Sequence, residues 1–390
     1  MLRCQEDAYL AALDAEVVAS TALPDGGSEV VLDQTPLYPG GGGQPADGGT
    51  VGGFGVVGLS VREDGAVVHH VAGQLRVGER VRVEVDWPRR YDYMQQHTAQ
   101  HMTTATALSL FGWRTVAFHL GPERSDVEFD LHALPEKDLA GLEARVNELI
   151  RQARPVRVRV VAREDLAALK VRSRRLPEGL TGPIRLIEIE GVDLNTCGGT
   201  HVANTAQVQM VKFLGTEKIA RGTRLFYVAG GRVLRELDRA MERDRELNLR
   251  LTCGRDEHVE AVERLIAERR ELSAQLKAIR AEWAVMVGRE LASAGKGAVA
   301  WHRADLDQET LRAVALAARE ARPDLLVLAT AGTGPSGLVV LAGPEGRAAL
   351  AFGEVARLLE VRGGGRGTLF QGRAARLDKR DEAAALIGAE

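Results

Sequence analysis

Cysteine is scarce in this chain. Three residues, Cys4, Cys197 and Cys253, among 390 cannot build a disulfide framework, and they point to a reducing compartment. No uncharged apolar run approaches the ~20 residues that span a bilayer. The first twenty residues carry Arg3, Glu6, Asp7, Asp14 and Glu16 in place of an apolar signal core. A cytoplasmic protein with no membrane partner is therefore expected. Net charge is small as well, at −3, so a polyanion would have to be met by local basic surface. The remaining composition, 45% hydrophobic and 27% charged, is that of an ordinary globular protein with room for two or three cores.

The pattern along the chain predicts an α+β multidomain protein. Residues 1–88 hold short alternating runs such as Arg80-Val81-Arg82-Val83-Glu84-Val85 between Gly and Asp turns, the spacing of a small β-barrel or sandwich. Within them lies a glycine-rich stretch, Gly40 to Gly43 followed by Gln44, Pro45 and Asp47-Gly48-Gly49. No Gly-Lys-Ser/Thr follows, so it is not a phosphate-cradling P-loop. It reads either as a plain connection or as bare backbone that a ligand can approach, with Gly41, Gly42, Gly43 and Gln44 as candidate substrate contacts. Residues 89–232 read as an α+β domain that opens with a helix from Arg89 to Phe111. Between Arg151 and Arg175 nine Lys or Arg stand against two acidic residues, and alternation puts Arg157 and Arg159 on one strand face. That is either a solvated basic face or one that meets phosphates. Residues 233–295 are helical, broken at Thr252-Cys253-Gly254. Val262, Leu265, Leu272, Leu276, Ile279, Trp283 and Met286 then follow a coiled-coil seam, for an intrachain hairpin or a homodimer contact. Residues 296–390 read as an α/β domain, with buried strands at 324–329 and 337–342 beside helices at 308–321 and 347–360. A loop, Arg362-Gly363-Gly364-Gly365-Arg366-Gly367, is either a plain flexible connection or one that offers backbone N–H groups and cations to an anion.

Two motifs carry the chemistry. His97-Thr98-Ala99-Gln100-His101 puts two imidazoles one helical turn apart, and Cys197-Gly198-Gly199-Thr200-His201 pairs a thiol with a third imidazole. Four of the twelve His and Cys residues thus fall into two pairs, a donor set suited to one tetrahedral Zn2+ per chain. His69, His70, His119, His132, His258 and His302 show no such pairing and read as structural.

At these motifs the chain resembles the AlaX family of alanyl-tRNA editing proteins, relatives of the editing domain of alanyl-tRNA synthetase. The glycine stretch, Gln95-Gln96 ahead of His97 and the run from Gly215 to Gly231 resemble the family as well. The helical spacer and glycine-rich tail resemble the C-terminal domain of alanyl-tRNA synthetase. The resemblance implies that His97, His101, Cys197 and His201 hold zinc. It implies a substrate, tRNA(Ala) wrongly esterified with serine or glycine, that is deacylated in trans after charging by another enzyme. It also implies a tail that holds the tRNA body. Thr115 resembles the family position that reads the seryl hydroxyl, at a different spacing from the helix.

An aminoacyl ester is already activated, so its hydrolysis needs positioning and modest charge stabilisation more than a strong base. Consistent with that, no Glu follows His97, which argues against amide hydrolysis. Thr98 and Gln100, on the turn of the ligands, are candidates to support them or to touch substrate. Four protein ligands close a tetrahedral site, and the residues leave three roles for zinc open: structural, water-activating or substrate-positioning. Two other functions fit the same motifs, editing of Ser-tRNA(Thr) and a zinc-stabilised tRNA-binding module without catalysis.

Overall fold

In a computed structural model the structure describes residues 2–172 and 182–389, and the chain forms two compact units, Met1–Arg245 and Glu246–Glu390. The first begins with a short helix α1 (Arg3–Glu6) and six strands, β1 (Ala12–Ala22), β2 (Ser28–Leu32), β3 (Gly49–Val51), β4 (Phe54–Val61), β5 (Val67–Val71) and β6 (Arg80–Val85). They close into a barrel in the order β1-β2-β5-β4-β3-β6. Alternation decides the facing. In β6 the valines 81, 83 and 85 are buried and Arg80, Arg82 and Glu84 are exposed. Of the barrel and the sandwich, the barrel forms. Its glycine stretch leaves after β2 and re-enters at β3, where Gly49 adopts φ +155° and an added Cβ would sit 2.0 Å from the Glu84 carbonyl oxygen.

Helix α2 (Trp87–Phe111) follows directly. Asp86 caps it by accepting from the Arg89 N–H at 3.2 Å, and Gly112 ends it in the left-handed region at φ +70°. Every residue from Tyr93 to Ala107 is buried, so its polar side chains must all find partners inside the protein. Gln96 illustrates the solution: its Nε2 donates to the Ala229 carbonyl and its Oε1 accepts from the Ala229 N–H, both at 2.9 Å. Around α2 lie β7 (Thr115–Leu120), β8 (Ser125–Phe129), α3 (Glu136–Arg151), β9 (Val156–Val161), β10 (Ile184–Ile189), β11 (Asp193–Thr196), β12 (Val211–Ile219) and β13 (Gly222–Ala229). The strands form an antiparallel sheet β12-β13-β8-β7 and a smaller one β11-β10-β9. Met94, Met102, Phe129, Leu142, Val146 and Leu225 pack between these elements as one core.

The basic face expected around β9 is changed by its neighbours. Arg157 pairs with Glu190 at 2.9 Å and Arg159 with Glu188 at 3.3 Å, so both cations are balanced by carboxylates on the partner side. Arg174 and Arg175, the end of that basic segment, lie outside the described residues. The chain continues as α4 (Gly231–Leu251).

In the second unit α5 (His258–Ala294) packs its C-terminal part on α6 (Gln308–Ala321). Gly288 permits the approach, because a Cβ there would lie 2.6 Å from that of Ala317. Val262, Leu265, Leu272, Leu276, Ile279 and Met286 are exposed. The sheet, β14 (Ala298–His302), β15 (Leu326–Ala331), β16 (Gly337–Ala342), β17 (Arg362–Arg366) and β18 (Leu369–Ala374), has the order β14-β15-β16-β18-β17. Only β14 and β15 run parallel, joined through α6, and α7 (Arg347–Leu359) and α8 (Arg380–Leu386) pack on the core formed with β16 and β18. The stretch from Arg362 to Arg366, expected as a loop, is strand β17. Cross-strand pairing with β18 overrides the turn preference of glycine here, since a Cβ on Gly363 or Gly365 would meet backbone oxygen of β18 or its approach at 2.2 and 2.1 Å. Among the described residues no helix is long and apolar enough to cross a membrane.

One ion pair ties the barrel to α2. The side chains of Arg90 and Asp47 are 0% and 1% exposed. Arg90 donates to both Asp47 carboxylate oxygens, to the Ala8 carbonyl at 2.9 Å and to the Pro36 carbonyl at 2.7 Å, while Asp47 also accepts from the Tyr38 N–H at 2.6 Å. Arg90→Met should cost about 3–5 kcal/mol in chemical denaturation, because it leaves the Asp47 charge buried and uncompensated. Adding Asp47→Asn should return part of that loss.

Candidate metal centre

His97 and His101 project from one face of α2, with ring centroids 5.2 Å apart. Cys197 and His201 come from the turn that follows β11, which folds back onto the helix. Glycine is required in that turn: a Cβ on Gly199 would lie 2.3 Å from His97 Cε1. The four donor atoms all lie within 4.8 Å of one another. Cys197 Sγ is 3.4 Å from His97 Nε2 and 3.3 Å from His201 Nε2. Bond lengths of about 2.3 Å to sulfur and about 2.0 Å to nitrogen put such atoms about 3.5 Å apart on a tetrahedral metal. The donor set and its spacing therefore fit a single metal ion.

Each imidazole must present a lone pair inward, so its other nitrogen needs a partner. His97 Nδ1 donates to Gln44 Oε1 at 2.8 Å, His101 Nδ1 to Asp193 Oδ2 at 3.0 Å, and His201 Nδ1 lies 3.2 Å from Thr98 Oγ1. All three Nε2 atoms are left for a ligand. Gln44 is itself clamped, accepting from the Thr200 N–H at 3.0 Å and donating to Thr200 Oγ1 at 2.8 Å. Arg172 grips Asp193 with two bonds, Nε to Oδ1 at 2.8 Å and Nη2 to Oδ2 at 2.6 Å.

The electrostatics suit metal binding. Burial alone would raise the Cys197 thiol, but the imidazoles of His97 and His201 and hydrogen bonds from His101 and His201 hold it well below the ordinary thiol range. Burial and the neighbouring His97 push His201 down to about 3, which keeps it neutral. Burial opposes ionising Asp193 too, yet Arg172 and His101 hold it at about 2. Burial works against charge on His101, but hydrogen bonds to Asp193 and Cys197 raise its pKa above the ordinary imidazole value. A second cluster, His119, Asp126 and Glu128, already holds a cation, because Arg224 pairs with Glu128 at 2.6 Å and with Asp126 at 3.4 Å.

The donors open onto a cleft of about 600 Å³, lined by His97, His101 and Cys197 and walled by Tyr38, Gly41 to Gly43, Phe118 and Asn195. Gly43 leaves room for the Phe118 ring, which a Cβ would meet at 2.6 Å. Of the residues expected from sequence, Gln100 lines this cleft and Gln44 stands behind His97. Thr98 supports His201 and accepts from the Val202 N–H at 3.3 Å. Thr115 begins β7 opposite Phe129, its hydroxyl buried without a partner among the described residues, and it is not among the residues that line the cleft. Arg362, Gly363, Gly364, Gly365 and Arg366 belong to the second unit. Sequence reasoning missed Asp193, Arg172, Tyr38 and Phe118, and also Gln5, whose Nε2 donates to the Gly198 carbonyl at 2.9 Å.

Known proteins resemble the chain along its length. Residues 184–227, which include Cys197 and His201, match the threonyl and alanyl tRNA synthetase second additional domain. An alanyl-tRNA editing protein Aarsd1 of Danio rerio is 38% identical, covering 99% of this chain and 96% of that protein. The Mus musculus protein of the same name is also 38% identical, over 98% and 96%. The alanyl-tRNA editing protein AlaX-M of Methanosarcina barkeri is 34% identical over 51% of this chain and 87% of its own. Among solved structures, the C-Ala domain of Aquifex aeolicus alanyl-tRNA synthetase matches 23% of this chain and 86% of that one, at 25% identity and a TM-score of 0.22.

Because the partners of Nδ1 set tautomer and ring orientation, Gln44→Ala and Asp193→Asn should each weaken Zn2+ or Co2+ affinity by about 10–100-fold. Competition with a chromophoric chelator measures this. Thr104→Val, which removes only a bond from Gln100, should leave affinity within about threefold.

Proposed function

The chain belongs to the alanyl-tRNA editing protein family, and on that premise we propose that it deacylates tRNA(Ala) mischarged with serine or glycine, with one Zn2+ held by His97, His101, Cys197 and His201. Editing proteins of this family are aminoacyl-tRNA deacylases. The observation that carries the reading is the cleft itself, which brings a three-imidazole, one-thiol donor set to a wall of bare glycine backbone. A family match shared by threonyl- and alanyl-type domains leaves the tRNA open, but the relatives matched along nearly their whole length are alanyl-type, which favours tRNA(Ala).

When bound, Zn2+ would supply a Lewis acid able to orient the seryl amine or hydroxyl and stabilise developing charge. The chain's own groups do the rest. Gly42 and Gly43 line the cleft, and their amide N–H groups have no partner among the described residues, so they are free to donate to the ester carbonyl oxygen as it gains charge. Tyr38 fixes that turn by donating its hydroxyl to the Gly41 carbonyl at 2.9 Å. Phe118, 5.6 Å from the His97 ring centroid, supplies an apolar wall that limits water. Since the ester is activated, water can attack with weak base assistance while the ribose oxygen departs.

Correctly charged Ala-tRNA must survive, and it differs from Ser-tRNA by one hydroxyl. A site that bonds that hydroxyl rejects the substrate lacking it, because its own polar group is then stranded. Gln100 suits this task better than Thr115. It lines the cleft, and its Nε2 is occupied by Thr104 at 2.8 Å, which leaves Oε1 to accept from serine.

The second unit supports a role in holding tRNA. Arg362 and Arg373 face each other across β17 and β18, and with Arg366 they are exposed and unpaired among the described residues. Like charges opposite one another are destabilising unless an anion sits between them. The exposed α5 residues Val262, Leu265, Leu272, Leu276 and Ile279 offer a seam for a homodimer contact or a coiled-coil partner.

Deacylation of Ser-, Gly- and Ala-tRNA(Ala) tests the proposal. Wild type should hydrolyse the first two and spare the third, and Cys197→Ala or a chelator should lower the rate at least ~100-fold. Hydrolysis of Ser-tRNA(Thr) with equal efficiency would overturn the choice of tRNA. Gln100→Leu should reduce activity on Ser-tRNA(Ala) about tenfold or more, with Thr115→Val much milder. Arg362→Glu with Arg366→Glu should weaken tRNA binding about tenfold and leave hydrolysis of a short acceptor mimic unchanged.

A further inference from the structure

The described wall of the cleft carries one formal cation. Among the described residues that line it, Arg172 is the only Lys or Arg, and no carboxylate accompanies it. One edge of its guanidinium is committed to Asp193, through Nε and Nη2. A guanidinium has five N–H donors in a planar fork. Three therefore remain, two on Nη1 and one on Nη2, and they have no partner among the described residues. The Arg172 side chain is 18% exposed and that of Asp193 only 2%, and of the pair Arg172 alone lines the cleft. Asp193 offsets part of this charge and also bonds the His101 ring, but it occupies only two of the five donors.

Resting on the reading that the cleft takes the 3′ end of an aminoacyl-tRNA, we propose that Arg172 binds the phosphate on the 5′ side of the terminal nucleoside with its free edge. Its other edge orients Asp193 and, through it, His101. The chemistry selects the ligand. Two or three N–H donors in one plane match the oxygens of a phosphate, and no other described residue of the wall outside the metal-facing donors carries a formal charge. An aminoacyl ester on a terminal ribose brings one anion within a nucleotide's length of the ester, and that anion is the phosphodiester. Arg172 thus links substrate docking to the orientation of a metal-facing imidazole through a single carboxylate.

The test uses adenosine carrying serine in amide linkage on a 3′-amino group, with and without a 5′-phosphate. Binding to the zinc-loaded full-length protein is measured by calorimetry, which needs no turnover. Wild type should bind the phosphorylated analogue about tenfold more tightly or better. In Arg172→Gln the two analogues should bind alike. Arg172→Lys should keep most of the phosphate preference, because the charge remains. Its Zn2+ affinity should fall, because an ammonium cannot hold both Asp193 oxygens. Should Arg172→Gln not fold, with Asp193 left bare, the R172Q/D193N pair removes both charges and gives the same comparison. Equal binding of the two analogues by wild type, or a preference that survives Arg172→Gln, overturns the proposal while leaving the editing site in place. Binding of neither analogue by wild type would overturn the aminoacyl-nucleotide reading and this proposal together.

Discussion

Three imidazoles can aim their Nε2 lone pairs at one point only when each Nδ1 is held elsewhere. Much of the first unit serves that constraint. The partner of His97 is Gln44, from the glycine stretch of the barrel. That of His101 is Asp193, from β11, and that of His201 is Thr98, from α2 itself. Barrel, helix and small sheet therefore each supply one anchor, and the donor cluster exists where the three meet. A displacement of any of them would turn a ring, and a ring turned by some tens of degrees no longer presents its lone pair to a shared centre.

The anchors are themselves fixed by burial and by shape. Gln44 is held in a turn whose neighbour Asp47 is locked to Arg90 inside the protein, so the barrel cannot slide along α2 without breaking a desolvated ion pair. Gly43 and Gly199 let Phe118 and His97 approach where any side chain would collide. Around them α2 has no exposed face between Tyr93 and Ala107, and Gln96 bonds both backbone groups of Ala229 as a neighbouring strand would. A site supported in this way has little reorganisation left to pay when charge develops, which is the condition for electrostatic stabilisation of an ester's transition state.

Where a local period carries the information, the sequence is a good guide. The α2 helix, the valine alternation of β6 and the helices near 308–321 and 347–360 all lie close to their expected places. The four donors come together as their pairing in two short motifs suggests. Failures occur where a distant segment decides. The glycines from 363 to 365 carry no side-chain pattern, so nothing local distinguishes a loop from an edge strand, and β18 makes the choice. Arg157 and Arg159 do share a strand face, but their charge balance depends on Glu188 of β10 and Glu190 just after it, which local alternation cannot see.

The candidate site divides along the same line. Metal chemistry restricts donors to a few residue types, so His and Cys stand out at one-turn spacing even in a long chain. Their supports obey no such restriction, since any acceptor will hold an Nδ1 proton. Here an amide, a carboxylate and a hydroxyl solve the same problem in three different ways. Residue type therefore points to the candidate donors and says nothing about what holds them. Asp193 stands four residues before Cys197, a separation with no meaning until β11 turns its side chain toward α2. The supports become legible only when the fold is known, although they set the direction in which each candidate donor points.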